Sequence, residues 1–157
     1  QKNTIPSESE AFNRTASLCS RSEHCTSQIQ EKLSLWGVPS EVQDRVISRL
    51  LDERFIDEAR FARAYALDKL RYSRWGRVKI DQMLRLLDIS AAHRKAALDD
   101  LPEDEYLDIL QHLIRQKRPS IQGRNDYERR AKLARYIVGK GFEPSLTFQA
   151  LDFSPDE

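Results

Sequence analysis

Apolar residues along this chain recur every three or four positions rather than every second one, and few stretches alternate β-branched with polar residues. That is the helical period. Breaks at Pro6, Gly37-Val38-Pro39, Trp75-Gly76, Leu101-Pro102, Arg118-Pro119-Ser120, Gly123 and Gly139-Lys140-Gly141 cut the pattern into helix-sized pieces. Capping side chains stand beside the breaks: Ser40 ahead of a helix from Glu41, Ser90 ahead of one from Ala91, and Asn125 or Asp126 ahead of one through Arg130. The chain therefore reads as all-α.

The pattern also repeats. Ile29, Leu33, Gly37 and Val38 return at identical spacing as Ile80, Leu84, Asp88 and Ile89, and again as Leu133, Ile137, Gly141 and Phe142. Each set holds two apolar residues four apart on one helix face, a stopping position four later, and an apolar residue that re-enters the core. The next helix repeats too: Val42, Val46, Ile47 and Leu50, then His93, Ala97, Leu98 and Leu101, then more weakly Leu146, Ala150, Leu151 and Ser154. With the helices ahead of each set, about 12–22, 58–73 and 103–116, this predicts three three-helix repeats over 11–55, 56–101 and 102–153. Residues 1–10 are expected to be disordered or extended, and 154–157 form a tail. A unit of about 50 residues is near the lower limit for burying its own core. The units must lean on one another or stay loosely coupled, as an elongated tandem array.

Charge changes this picture through its distribution. The 157 residues hold 26 Lys and Arg against 25 Asp and Glu, a net +1. By block, 1–59 carries −3, 60–95 carries +7, 96–112 carries −6, 113–141 carries +7 and 142–157 carries −4. On a helix over 58–73, Phe61, Tyr65 and Tyr72 share one face, expected to be core, and Asp68 beside them is expected to bond a neighbouring helix. Arg60, Arg63, Arg71 and Arg74 fall on the opposite face as a rail about 21 Å long without interspersed carboxylates. Such a rail repels itself unless a polyanion or acidic protein surface neutralises it. Gly76 then turns the chain, and Arg77 and Lys79 enter a helix whose buried face is Ile80, Met83, Leu84 and Leu87. Trp75 either packs between helices of the middle unit or stacks on a partner. A second basic surface follows in Arg124, Arg129, Lys132, Arg135 and Lys140, with Arg130 snorkelling over apolar neighbours. Two such surfaces suit one extended partner touched in two places.

Candidate chemistry adds little. Glu103, Asp104 and Glu105 sit where carboxylates complement a helix dipole. Cys19 and Cys25 are too few for a disulfide framework, and with His24 they are too few for a closed zinc site. The Asn13-Arg14-Thr15 sequon is read as chance in a chain without a signal-peptide core. No apolar run approaches the roughly 20 residues of a membrane span. The expectation is a cytoplasmic monomer, not an enzyme, without metal or cofactor. A helix-turn-helix DNA reader fits poorly, for want of a recognition helix rich in Asn, Gln and Arg.

The run DERFIDEARFARAYALDKLRYSRWGRVKIDQML, Asp52 to Leu84, resembles the central signature of the RecX family, regulators of the RecA recombinase, at Asp57, Arg60, Phe61, Ala62, Tyr65, Gly76, Ile80 and Leu84. Ile29 to Val38 and Lys132 to Phe142 resemble the family's first and third units, so that the resemblance covers about 11–151. Asp88 departs from it, standing where the family usually has glycine. The resemblance implies three-helix repeats that bind the RecA filament, and single- or double-stranded DNA, in homologous recombination, DNA repair and the SOS response. It implies that they restrain filament assembly, ATP hydrolysis, strand exchange and co-protease activity without catalysis. It does not name the contacts. Charge geometry suggests Arg60, Arg63, Arg71, Arg74, Trp75, Arg77 and Lys79, with Arg124, Arg129, Lys132, Arg135 and Lys140 as the second surface. The alternative is a stand-alone nucleic-acid-binding module.

Overall fold

The computed structural model describes residues 4–152, and all regular structure within them is helical. The α-helices are α1 (Glu8–Arg21), α2 (Thr26–Leu35), α3 (Ser40–Asp52), α4 (Glu58–Asp68), α5 (Arg77–Leu86), α6 (Ala91–Asp99), α7 (Glu103–Lys117), α8 (Asp126–Gly139) and α9 (Pro144–Asp152). The tail at 154–157, and Ser154 as a member of the repeat, lie outside the described residues.

Short polar side chains start several of these helices as expected. Ser90 accepts from the His93 N–H at 3.2 Å and Asn125 from the Glu128 N–H at 2.8 Å. Ser40 does not cap; it is the first residue of α3, behind Pro39, whose fixed φ prepares the helix without a side-chain bond. Of the segment expected to be disordered or extended over 1–10, residues 1–3 lie outside the described residues and Glu8 to Glu10 already belong to α1. A reciprocal pair causes this: the Glu10 N–H donates to Ser7 Oγ and the Ser7 N–H to Glu10 Oε1.

Helices α2, α5 and α8 end alike. Gly37, Asp88 and Gly141 all take the left-handed conformation, with φ of 79°, 61° and 102°. Val38 and Ile89 then donate back to the carbonyls of Leu33 and Leu84, closing a Schellman turn. The repeat seen in the sequence is thus a repeat of backbone conformation. Ile29, Ile80 and Leu133, its first members, are all buried.

The cores do not follow the repeat. Ala11, Phe12, Ile29, Leu33, Val46, Ile47, Leu50 and Ile56 form one cluster, closed by Phe55 edge-on to Phe12. The second and third units share a single larger cluster that runs from Phe61, Leu70, Ile80 and Leu84 through α7 to Leu133, Ile137 and Phe142. Helix α7 is the common wall, burying Tyr106, Leu110, Leu113 and Ile114.

The expected Phe61, Tyr65 and Tyr72 stripe is broken. After Asp68 the chain widens into a π-turn over Lys69–Ser73, and Arg74 follows in the left-handed region at φ 58°. Wider turns rotate each residue less than the 100° of an α-helix, so the extrapolated faces drift. Leu70 is buried in place of Tyr72, which is 82% exposed, and Asp68 is exposed, without the expected inter-helix bond among the described residues.

Candidate partner-binding surface

The π-turn leads into the closest approach between the second and third units. Gly76 donates to the Lys140 carbonyl and Val78 to that of Gly141, both at 2.9 Å. The φ of Gly76, −82°, would suit any residue; what the position lacks is space. A Cβ there would lie 2.4 Å from Gly141 O and from Phe142 N. Two backbones touch because neither residue has a side chain.

Arg77 locks this joint. Its guanidinium lies 3.8 Å from the centre of the Tyr106 ring and donates to Glu143 at 2.9 Å and Glu103 at 2.7 Å. Its backbone N–H donates to the Tyr106 hydroxyl, which donates in turn to Glu143. Burial, and then the bond to Glu143, raise the Tyr106 hydroxyl pKa far above its usual range. Burial pushes the Glu143 carboxyl up, but the bonds from Tyr106 and Arg77 outweigh it and hold its pKa below the ordinary 4.5. Arg77, expected to face a partner, is 18% exposed and engaged inside the molecule.

Similar engagement takes up much of the predicted rail. Arg71 makes a two-pronged pair with Glu105 of α7, at 2.7 and 2.9 Å. Arg60 binds Glu23 across to the first unit and the carbonyls of Arg54 and Phe55. The missing carboxylates therefore exist, and the close ones come from other units, Glu23 for Arg60 and Glu105 for Arg71, with Asp57 of the same unit 3.9 Å from Arg60. Glu105, read from sequence as a dipole complement, is one of them, and Glu103 beside it pairs with Arg77. Arg63 is exposed and lines a separate groove with Ala97, Asp100 and Pro102.

In the third unit, Arg124 pairs with Glu128, Arg129 with Asp126 and the Gly123 carbonyl, and Lys132 with the Gln122 carbonyl and Glu128. These three cations tie the loop after α7 to α8. Arg130 does snorkel, lying over Phe148 while pairing with Asp152. Arg135 is exposed on α8.

Four of the cations that form no ion pair among the described residues lie close together. Lys69 and Lys79 hold their ammonium groups 4.9 and 4.6 Å from the centre of the half-buried Trp75 ring. Lys140 arrives from the third unit and donates to the Ser73 carbonyl at 3.2 Å. Its pKa is lowered first by burial, then by Lys79 and Arg74 beside it. None of Lys69, Arg74, Lys79 and Lys140 forms an ion pair among the described residues. Two lysines thus flank one tryptophan, with Lys140 and Arg74 beside Lys79, on the seam between two units.

Lys69 was not foreseen. On a straight helix it points away from the arginine rail; the π-turn, which brings the Trp75 N–H to the Lys69 carbonyl at 3.0 Å, sets it against the indole. A wide turn leaves no periodic trace in a sequence.

Comparison with known proteins matches the chain to three family descriptions in order: RecX, first three-helix domain, at residues 11–50; second, at 57–98; third, at 103–151. The regulatory protein RecX of Prosthecochloris aestuarii is 29% identical over 147 residues, covering 90% of this chain and 91% of that protein. That of Leuconostoc mesenteroides is 24% identical over 132 residues, and there the chain spans about half the relative's length, 49%. A crystal structure of regulatory protein RecX superposes with a TM-score of 0.84 at 20% identity, over 93% of this chain and 72% of the other, a likeness of fold.

Proposed function

The chain belongs to the RecX family, and from that premise we propose that it is a non-catalytic regulator that binds the RecA recombinase filament and mainly inhibits its assembly. ATP hydrolysis, strand exchange and co-protease activity fall with it. The observation that carries this reading is the grouping of Lys69 and Lys79 on the Trp75 ring with Arg74 and Lys140 beside Lys79. Close like charges cost free energy in the isolated molecule, and an acidic protein surface or a phosphate backbone relieves that cost. Because the seam is fixed by backbone bonds and a shared core, little ordering is lost when a partner arrives. The test is RecA's DNA-dependent ATPase. Substoichiometric amounts of this protein should slow it, and an unchanged rate at stoichiometric excess defeats the proposal.

A second reading, the stand-alone nucleic-acid module, draws support from the same indole, since a tryptophan flanked by lysines can stack on a base while the cations meet phosphates. Four phosphate contacts on a single strand would give a slope of log K against log salt of about −3. Tight binding with that slope and no effect on RecA would favour this reading over the first.

A further inference from the structure

Away from the seam, α8 and α9 leave an open groove of about 620 Å³ between them. Its α8 side is Tyr127, Ala131, Ala134 and Val138, one face of the helix. Its α9 side is Pro144 and Phe148. Large apolar groups here face solvent: Tyr127 is 84% exposed, Phe148 43% and Val138 37%. The alanines keep the floor low between them, leaving room for one bulky side chain.

The rim is basic. Arg130 and Arg135 line the groove, and among the described residues no carboxylate does. Arg130 already shows what it takes, holding Asp152 at 2.8 Å, while Arg135 has no ion pair among the described residues. A nucleobase seated on this floor would leave its ring N–H and carbonyl groups unsatisfied against alanine. A peptide can place an apolar side chain inward and carboxylates at the rim.

We infer that the α8–α9 groove is a docking site for an acidic peptide segment of a partner protein, anchored by a bulky apolar side chain between Tyr127 and Phe148 and by carboxylates at Arg130 and Arg135. The site is separate from the basic seam and does not depend on the RecA reading. The probe is a fluorescein-labelled peptide of ten aspartates and glutamates into which one phenylalanine and one leucine are set four positions apart, read by anisotropy on the full chain. Replacing its two apolar residues with serine should weaken binding at least tenfold. In the protein, Arg135→Glu and Ala131→Phe should each do the same with helicity unchanged, while Lys79→Glu changes it less than twofold. Equal binding of both peptides, or indifference to Ala131→Phe, overturns the proposal. So does an oligonucleotide that binds and is lost on Ala131→Phe, or a concentration-dependent dimer that Val138→Glu abolishes.

Discussion

The two joints of this molecule are built differently. Between the first and second units the ties are few and mostly polar: Arg60 to Glu23, the Thr26 N–H to Glu58, and Ser27 Oγ to the Leu87 carbonyl at 2.8 Å. Among the described residues only Cys25 of the first unit joins the larger core, and Ile56 at the start of the second packs into the smaller one. Between the second and third units the core is continuous, two glycine backbones touch, and Arg77, Tyr106 and Glu143 close the seam. A triple repeat in sequence thus folds as one unit tethered to a fused pair. Position within the repeat did not decide this; the pairing of one bare backbone with another did.

The sharpest way to break the contrast is Gly76→Ala. Its methyl would meet backbone rather than a movable side chain, so the loss should be about 3 kcal/mol, a fall in Tm of roughly 10 °C in thermal unfolding. A change below about 0.5 kcal/mol would show that the seam yields.

Next comes Glu143→Gln, which leaves the half-buried Arg77 with only the more exposed Glu103 as a charge partner and should cost about 2 kcal/mol at pH 7 in urea unfolding. The sign with pH follows from a folded pKa held below 4.5. The stabilisation is complete above pH 4.5 and is lost as pH falls through the lower folded value, so wild type and variant should converge in acid. A gap that does not narrow at all as the pH falls below 4.5, down to acid unfolding, would assign the loss to packing instead.

At the weaker joint, Ser27→Ala should cost about 1 kcal/mol or less. Native-state hydrogen exchange should show the first unit alone, at Ile29, Leu33 and Leu50, opening earlier, with Ile114 and Ile137 unmoved. Equal acceleration in both cores would mean that the joints are equivalent. The smallest effect is a gain. Asp88→Gly relieves a left-handed aspartate in the turn that carries Leu87, and should add about 0.5–1 kcal/mol.

These differences mark what the sequence could reveal. The buried faces of Ile29, Ile80 and Leu133 and the three left-handed stops were legible because they are local and periodic. The family was legible because its signature lies within one continuous run, Asp52 to Leu84. The surface was only half legible. Arg74, Trp75, Lys79 and Lys140 were named from sequence, but Arg71 and Arg77 were counted with them because their carboxylates lie 34 and 66 residues away. Lys69 was missed, and Tyr72 placed in the core, because the π-turn shifts both faces without changing the residue pattern.

On the proposed function, uncompensated charge on the fused seam, rather than basic charge in general, is what a RecA filament would feel. This claim is tested most directly by comparing two charge reversals as inhibitors of RecA's DNA-dependent ATPase: Arg74→Glu with Lys79→Glu on the seam, and Arg124→Glu with Lys132→Glu on the α8 loop. With far-ultraviolet dichroism intact, the seam variant should need at least ten times more protein for half-inhibition and the loop variant less than twice as much. Equal losses, or a greater loss from the loop variant, would contradict the account.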